Sequence, residues 1–184
     1  MKKLFLVIMA LALLLVTGCA KDSLSSQEQG SGYTVVDARG KKITFASAPK
    51  RIVCLNYSAT DILTDLIPTD RIIATDMWAR EEDLSNCYEK LKGIPVCENN
   101  PEQIMKFKPD IVILTDGRAD ELADTLDSVG IKTCVLRQPK TIQEIPDYIK
   151  IVGEVADNKA AANSLAEKVA AYLKDSTEGQ KIES

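Results

Sequence analysis

Four short apolar runs, none alternating cleanly between apolar and polar residues, constrain this chain most: Arg51-Ile52-Val53-Cys54-Leu55, Arg71-Ile72-Ile73-Ala74, Asp110-Ile111-Val112-Ile113-Leu114 and Lys132-Thr133-Cys134-Val135-Leu136. A strand with one wet face places polar side chains at every second position. Runs that stay apolar therefore predict strands covered on both faces, as in a parallel sheet. Helix signals fall between them. Ser58 is placed to cap a helix running through Ile62, Leu63 and Leu66 to Ile67, ended by Pro68. Asn100 precedes Pro101 at the first helical position, Gln103 follows as in a capping box, and Pro109 closes the helix. Ala119 to Val129 forms the next, stopped by Gly130, and Thr141 with Glu144 opens another to about Gly153. Strands alternating with helices make right-handed β-α-β units, which predicts an α/β fold, a doubly wound lobe on a mostly parallel sheet. Ahead of it, Tyr33 to Asp37 and Lys42 to Ala46 flank Ala38-Arg39-Gly40-Lys41 and predict an N-terminal hairpin.

The segment KAAANSLAEKVAAYLKD, Lys159 to Asp175, places Ala162, Leu165, Ala166, Val169, Ala170 and Leu173 on one stripe of period 3.6. A long helix from Asn158 to Lys174 follows, roughly 25 Å in length. The polar residues STEGQKIES come after it.

At the other end, Lys2 and Lys3 precede the apolar run Leu4 to Val16. That run is shorter than the roughly 20 residues a membrane-spanning helix needs and fits an export signal. Val16-Thr17-Gly18-Cys19 resembles the lipobox of a bacterial lipoprotein precursor. The resemblance implies cleavage before Cys19, acylation of its sulfur, anchorage in the lipid bilayer and residence on the extracytoplasmic face of the cell membrane; an ordinary secretory signal with a chance cysteine is the alternative. Residues 1–18 are then the signal peptide and 19–32 a polar, flexible tether. The 166 residues left after cleavage suffice for one domain with a real core. They hold 21 basic against 27 acidic residues, a net charge of −6, which argues against a nucleic-acid partner. Cys54 and Cys134 sit in apolar runs and read as core residues, while Cys87 and Cys97 flank a polar segment and leave a disulfide open. The chain has no histidine and no Cys-x-x-Cys pair, so a zinc site or a histidine-based triad is not expected, nor is any metal or cofactor of the protein's own.

Three stretches together resemble the extracytoplasmic binding proteins of ABC importers for iron-siderophores, haem and cobalamin. They are VVDARGKKITFASAPKRIVCLNYSATDIL from Val35 to Leu63, NPEQIMKFKPDIVIL from Asn100 to Leu114, and VGIKTCVL from Val129 to Leu136 with TIQEIPDYIKIVGEVA after it. The order and spacing of the three carry the resemblance, which covers roughly Tyr33 to Lys174. It implies two α/β lobes joined by one long helix, with the ligand in the cleft between them, and an ABC permease as partner. On this reading residues 33–157 are the N-terminal lobe, 158–184 are the inter-lobe helix and polar tail, and the second lobe is absent. No nucleophile, base and oxyanion site are arranged together, and Glu81-Glu82-Asp83 reads as a solvated charge run, so an enzyme is not expected. A lone lobe with an interaction or regulatory role, or a nonfunctional truncated product, are the alternatives.

In open α/β sheets ligands bind outside the carboxyl ends of the strands, where loops converge and helix N-termini point. The loops there hold Asn56, Tyr57 and Ser58; Asp76, Met77, Trp78 and Arg80; and Thr115, Asp116, Gly117 and Arg118. Tyr57 and Trp78 offer flat surfaces for a corrinoid, haem or iron-chelate ligand, and Arg80 and Arg118 can hold an anionic one. Each has a plainer alternative: Trp78 as core filling, Tyr57 packed beneath its own helix, the arginines as solvated charges, Ser58 as a cap. The resemblance also assigns Glu102, in Pro101-Glu102-Gln103-Ile104, to docking on the permease; otherwise it is a first-turn acid favoured by the helix dipole.

Overall fold

The computed structural model describes residues 32–117 and 119–180, with side chains to residue 176. The export signal, Cys19 and the tether before Gly32 lie outside the described residues, as does Arg118.

Strands β1 (Tyr33–Val36) and β2 (Lys42–Phe45) form an antiparallel hairpin that turns through Gly40 at φ 80°, a left-handed conformation that costs glycine little. Then come β3 (Ile52–Cys54), α1 (Tyr57–Leu66), β4 (Ile72–Thr75), α2 (Pro101–Lys106), β5 (Ile111–Thr115), α3 (Asp120–Ser128), β6 (Thr133–Leu136), α4 (Ile145–Val155) and α5 (Lys159–Gln180). The four apolar runs pair in parallel in the order β4-β3-β5-β6. Their uniform apolarity has the predicted cause, since side chains of alternate residues enter two separate cores. Ile52, Cys54, Ile111, Ile113, Cys134 and Leu136 pack with α1, α4 and the hairpin, while Val53, Val112, Leu114 and Val135 pack with α2 and α3. The hairpin is fastened to the far strand where Ala38 N–H donates to the Val135 carbonyl at 2.8 Å.

Local signals resolve differently from their sequence reading at three places. Asn100 caps α2 through its side chain, which accepts from Gln103 N–H at 3.0 Å, but the Gln103 side-chain Oε1 reaches past Asn100 and accepts from Glu98 N–H at 3.0 Å. Thr141 makes no side-chain cap; Glu144 Oε2 accepts from Lys140 N–H at 2.9 Å, and a short 3-10 turn, Ile142–Glu144, precedes α4. α4 also continues through Gly153 to Val155 instead of stopping there.

The turn into α5 is tightly specified. Asp157 takes φ 58°, Asn158 Oδ1 accepts from Ala161 N–H, and Asn158 Nδ2 donates to the Leu66 carbonyl at the end of α1 at 2.7 Å. α5 then runs on to Gln180, beyond the predicted Lys174. Its apolar stripe is buried at Ala162 and Ala166, half-buried at Leu165, Val169 and Leu173, and exposed at Ala170. The helix therefore lies on the lobe along its first turns and rises away from it afterwards.

Candidate functional site

Strand β3 sits where the chain's direction across the sheet reverses: the next strand, β4, lies on one side of it and β5 on the other. The connections leaving β3 and β5 must separate at that point, which opens a crevice at their carboxyl ends. A cleft of about 840 Å³ occupies it, bounded by Leu55, Asn56 and Tyr57 after β3, Asp76, Met77 and Trp78 after β4, Leu114, Thr115 and Asp116 at the end of β5, and Gln138 after β6.

Each wall has a local cause. Past β3 the Leu55 N–H still donates to the Ile113 carbonyl at 2.8 Å, and the chain leaves the sheet at Asn56. Asn56 is the N-cap of α1: its Oδ1 accepts from Ala59 N–H at 3.0 Å. This corrects the assignment of the cap to Ser58. The Asn56 side chain is buried at the cleft floor, where its Nδ2 makes no hydrogen bond of normal geometry and the Tyr148 hydroxyl is its neighbour. Capping at Asn56 leaves Tyr57 as the first helical residue, where its ring projects, 48% exposed, into the cleft mouth.

On the second wall Asp76 Oδ1 accepts from Ala79 N–H at 2.9 Å and folds Trp78–Arg80 into a 3-10 turn with Ala79 buried beneath it. The turn pushes Met77 and Trp78 outward, and Trp78 is 52% exposed, so it does not fill the core. Burial raises the pKa of the Asp76 carboxyl above the usual range, opposed in part by the N–H groups of Ala79 and Trp78. Arg80 points elsewhere. Its guanidinium donates to the Ile94 carbonyl and it does not line the cleft, so the expectation that it holds an anionic ligand there is not met. That bond instead ties the Trp78 turn to the segment after Gly93.

The third wall places Thr115 in the lining, but Gly117, at φ 94°, lies outside it. Ser58 turns away toward a smaller groove of about 410 Å³ shared with Ile62, Ile142, Ile145 and Tyr148, and Gln138 lines both hollows. Glu102 is exposed on the first turn of α2, outside the cleft lining. Asn56, Tyr57, Trp78 and Thr115 are thus brought together; Ser58, Arg80, Gly117 and Glu102 are not.

Val96, Cys97, Glu98 and Asn99 also line the cleft and escaped sequence reasoning. They lie beside β4, where Thr75 N–H donates to the Pro95 carbonyl and Cys97 N–H to the Thr75 carbonyl. The short apolar run Ile94-Pro95-Val96-Cys97 was the available signal. Cys87 and Cys97 are both free thiols and pack in different cores, on opposite faces of the sheet.

Residues 52–177 match the family model described as periplasmic binding protein. Among curated proteins, the chain is 26% identical over 93% of its length to an uncharacterized ABC transporter substrate-binding lipoprotein of Bacillus subtilis, covering 56% of that protein. It is 25% identical over 70% of its length to a cobalamin-binding protein of Halobacterium salinarum, covering 35% of it. Among solved structures, the crystal structure of the heme binding protein HmuT superposes with a TM-score of 0.67 at 22% identity, over 82% of this chain and 49% of that one. The chain therefore spans about half, or less, of the length of these relatives.

Proposed function

Because the chain belongs to the periplasmic binding protein family, we propose that it is the substrate-binding component, or the N-terminal half of one, of an ABC importer for iron-siderophore, haem or cobalamin-type ligands. The observation that carries this reading is the pair of half-exposed aromatic rings, Tyr57 and Trp78, facing a cleft of about 840 Å³ at the reversal point of a parallel sheet. A soluble protein gains nothing in stability from exposing two large rings beside a hollow; a flat ligand recovers that area on binding. Asn56 and Thr115 supply the polar contacts. The protein is held on the extracytoplasmic face of the membrane by an acylated Cys19, which raises its effective concentration near the permease without any new contact. Residues 33–157 form the ligand-bearing lobe, and α5 is the helix that leads from it toward a second wall.

Trp78 is the only tryptophan, so titration of the purified full-length chain with ferric siderophores, haem and cobalamin, followed by its fluorescence, tests the reading directly. Saturable quenching by at least one class is expected, and no response to any would remove the proposal. Glu102 is proposed to meet the permease, where an exposed charge orients docking more than it tightens it. Glu102→Lys should reduce co-purification with the permease and leave ligand affinity within about twofold; undiminished co-purification would remove that role.

A further inference from the structure

The smaller groove of about 410 Å³ opens beside the cleft, on the face of the sheet that α1 and α4 cover. Tyr57 and Ser58 are consecutive on the first turn of α1; Tyr57 lines the cleft, Ser58 lines the groove, and Gln138 lines both. The two hollows therefore adjoin at that turn. Ile62 and Ile145 wall the groove, each partly buried against the core, and Ile142, on the 3-10 turn before α4, is 44% exposed at its rim. Tyr148 closes the floor at 5% exposed. Its hydroxyl makes no hydrogen bond of normal geometry and lies beside the amides of Asn56 and Gln138, which oppose the rise in pKa that burial imposes on it. Apolar walls with a few convergent polar groups are the composition of a small-molecule pocket.

Resting on the reading of the cleft as a ligand-binding wall, we infer that this groove is a side pocket of the same site. It takes an uncharged apolar arm of the ligand, joined to the ligand body by an amide or ester whose polar atoms meet Gln138. An arm is the fitting occupant because the hollows meet at Gln138: once the cleft holds the body, the arm enters at high effective concentration. A charged arm is disfavoured, since a carboxylate or ammonium set among three isoleucines loses its hydration.

The test starts from whichever of a neutral ferric trihydroxamate, haem and cobalamin quenches Trp78 in the purified full-length chain. Derivatives of that parent, each with one hexylamide arm at a different peripheral position, are compared with it by calorimetry. At least one should bind roughly tenfold more tightly than the parent or better, and ending its arm in a carboxylate should remove most of the gain. Ile142→Glu, which changes an exposed side chain, should cut the ratio of armed to parent affinity at least threefold. The milder Ile142→Ser is read the same way, with thermal midpoints to check that both variants fold. Armed derivatives that all bind no more tightly than the parent, or a gain that neither substitution reduces, overturn the side pocket alone. Failure of every parent ligand to bind overturns the ligand-binding reading and this inference with it.

Discussion

Asn56 and Ser58 are both capping residue types, two positions apart, and the sequence alone does not choose between them. The choice belongs to the sheet. The last ladder bond of β3 is made by Leu55, so the turn begins at Asn56 and Ser58 is already helical. Asn56→Ala should lower stability by about 1 kcal/mol in urea unfolding, and Ser58→Ala by less than about 0.5 kcal/mol; the reverse ranking would refute the assignment. Trp78→Ala should weaken ligand binding at least tenfold by fluorescence-independent calorimetry while the urea midpoint barely moves, because the ring is half exposed and outside the cores. The buried thiols make a prediction about pH. Burial pushes Cys54 and Cys134 up to about 12 from an ordinary 9.0. A folded-state pKa above the unfolded one means the folded chain holds its proton longer. The stabilisation is thus complete below about pH 9 and is lost as pH rises toward 12. Between pH 8 and pH 10 the loss should be on the order of 1 kcal/mol for each thiol, and Cys54→Ala should flatten the slope of stability against pH.

Among elements, α4 and α5 show what a glycine in a sequence does not reveal. Gly153 reads as a helix stop, yet α4 passes through it, and a Cβ built there would meet the Cβ of Ala162 at 2.1 Å. The residue is small because α5 crosses at that point. Helix propensity alone favours Gly153→Ala by about 1 kcal/mol, whereas forcing two methyl groups into one space costs about 1–3 kcal/mol. We expect net destabilisation by thermal unfolding, largely recovered in the double variant Gly153→Ala with Ala162→Gly; a stabilised single variant would show that the helices can part freely. The strands, by contrast, were legible to within a residue or two, because a parallel strand records its two-sided burial in its own composition. The crossing was not legible, since it depends on two residues in different helices and on the left-handed turn at Asp157 between them.

For the whole molecule, the lobe and the position of its cleft followed from alternating strands and helices, and the aromatic pair was visible at strand ends. The edge wall of the cleft was not. It is built by Val96, Cys97, Glu98 and Asn99, brought in by an edge segment with one bridging pair to β4, while Arg80 turns to a backbone carbonyl instead of the cleft. Amide hydrogen exchange should report the same architecture: slow in β3 and β5 at the sheet centre, slow in α5 through Ala166, and progressively faster beyond Leu173, after which the described side chains, to Ser176, are exposed. Uniform protection along α5 would contradict this. The seat of α5 is pinned by Asn158 to Leu66 and close-packed where Ala162 meets Gly153, and past Val169, which still packs on the core, the helix runs on to Gln180 as a beam of roughly 16 Å. A tilt of about 5° there would swing the Gln180 end by between 1 and 2 Å, roughly, so the close approach of α5 at Gly153 helps set where anything carried by the beam will point.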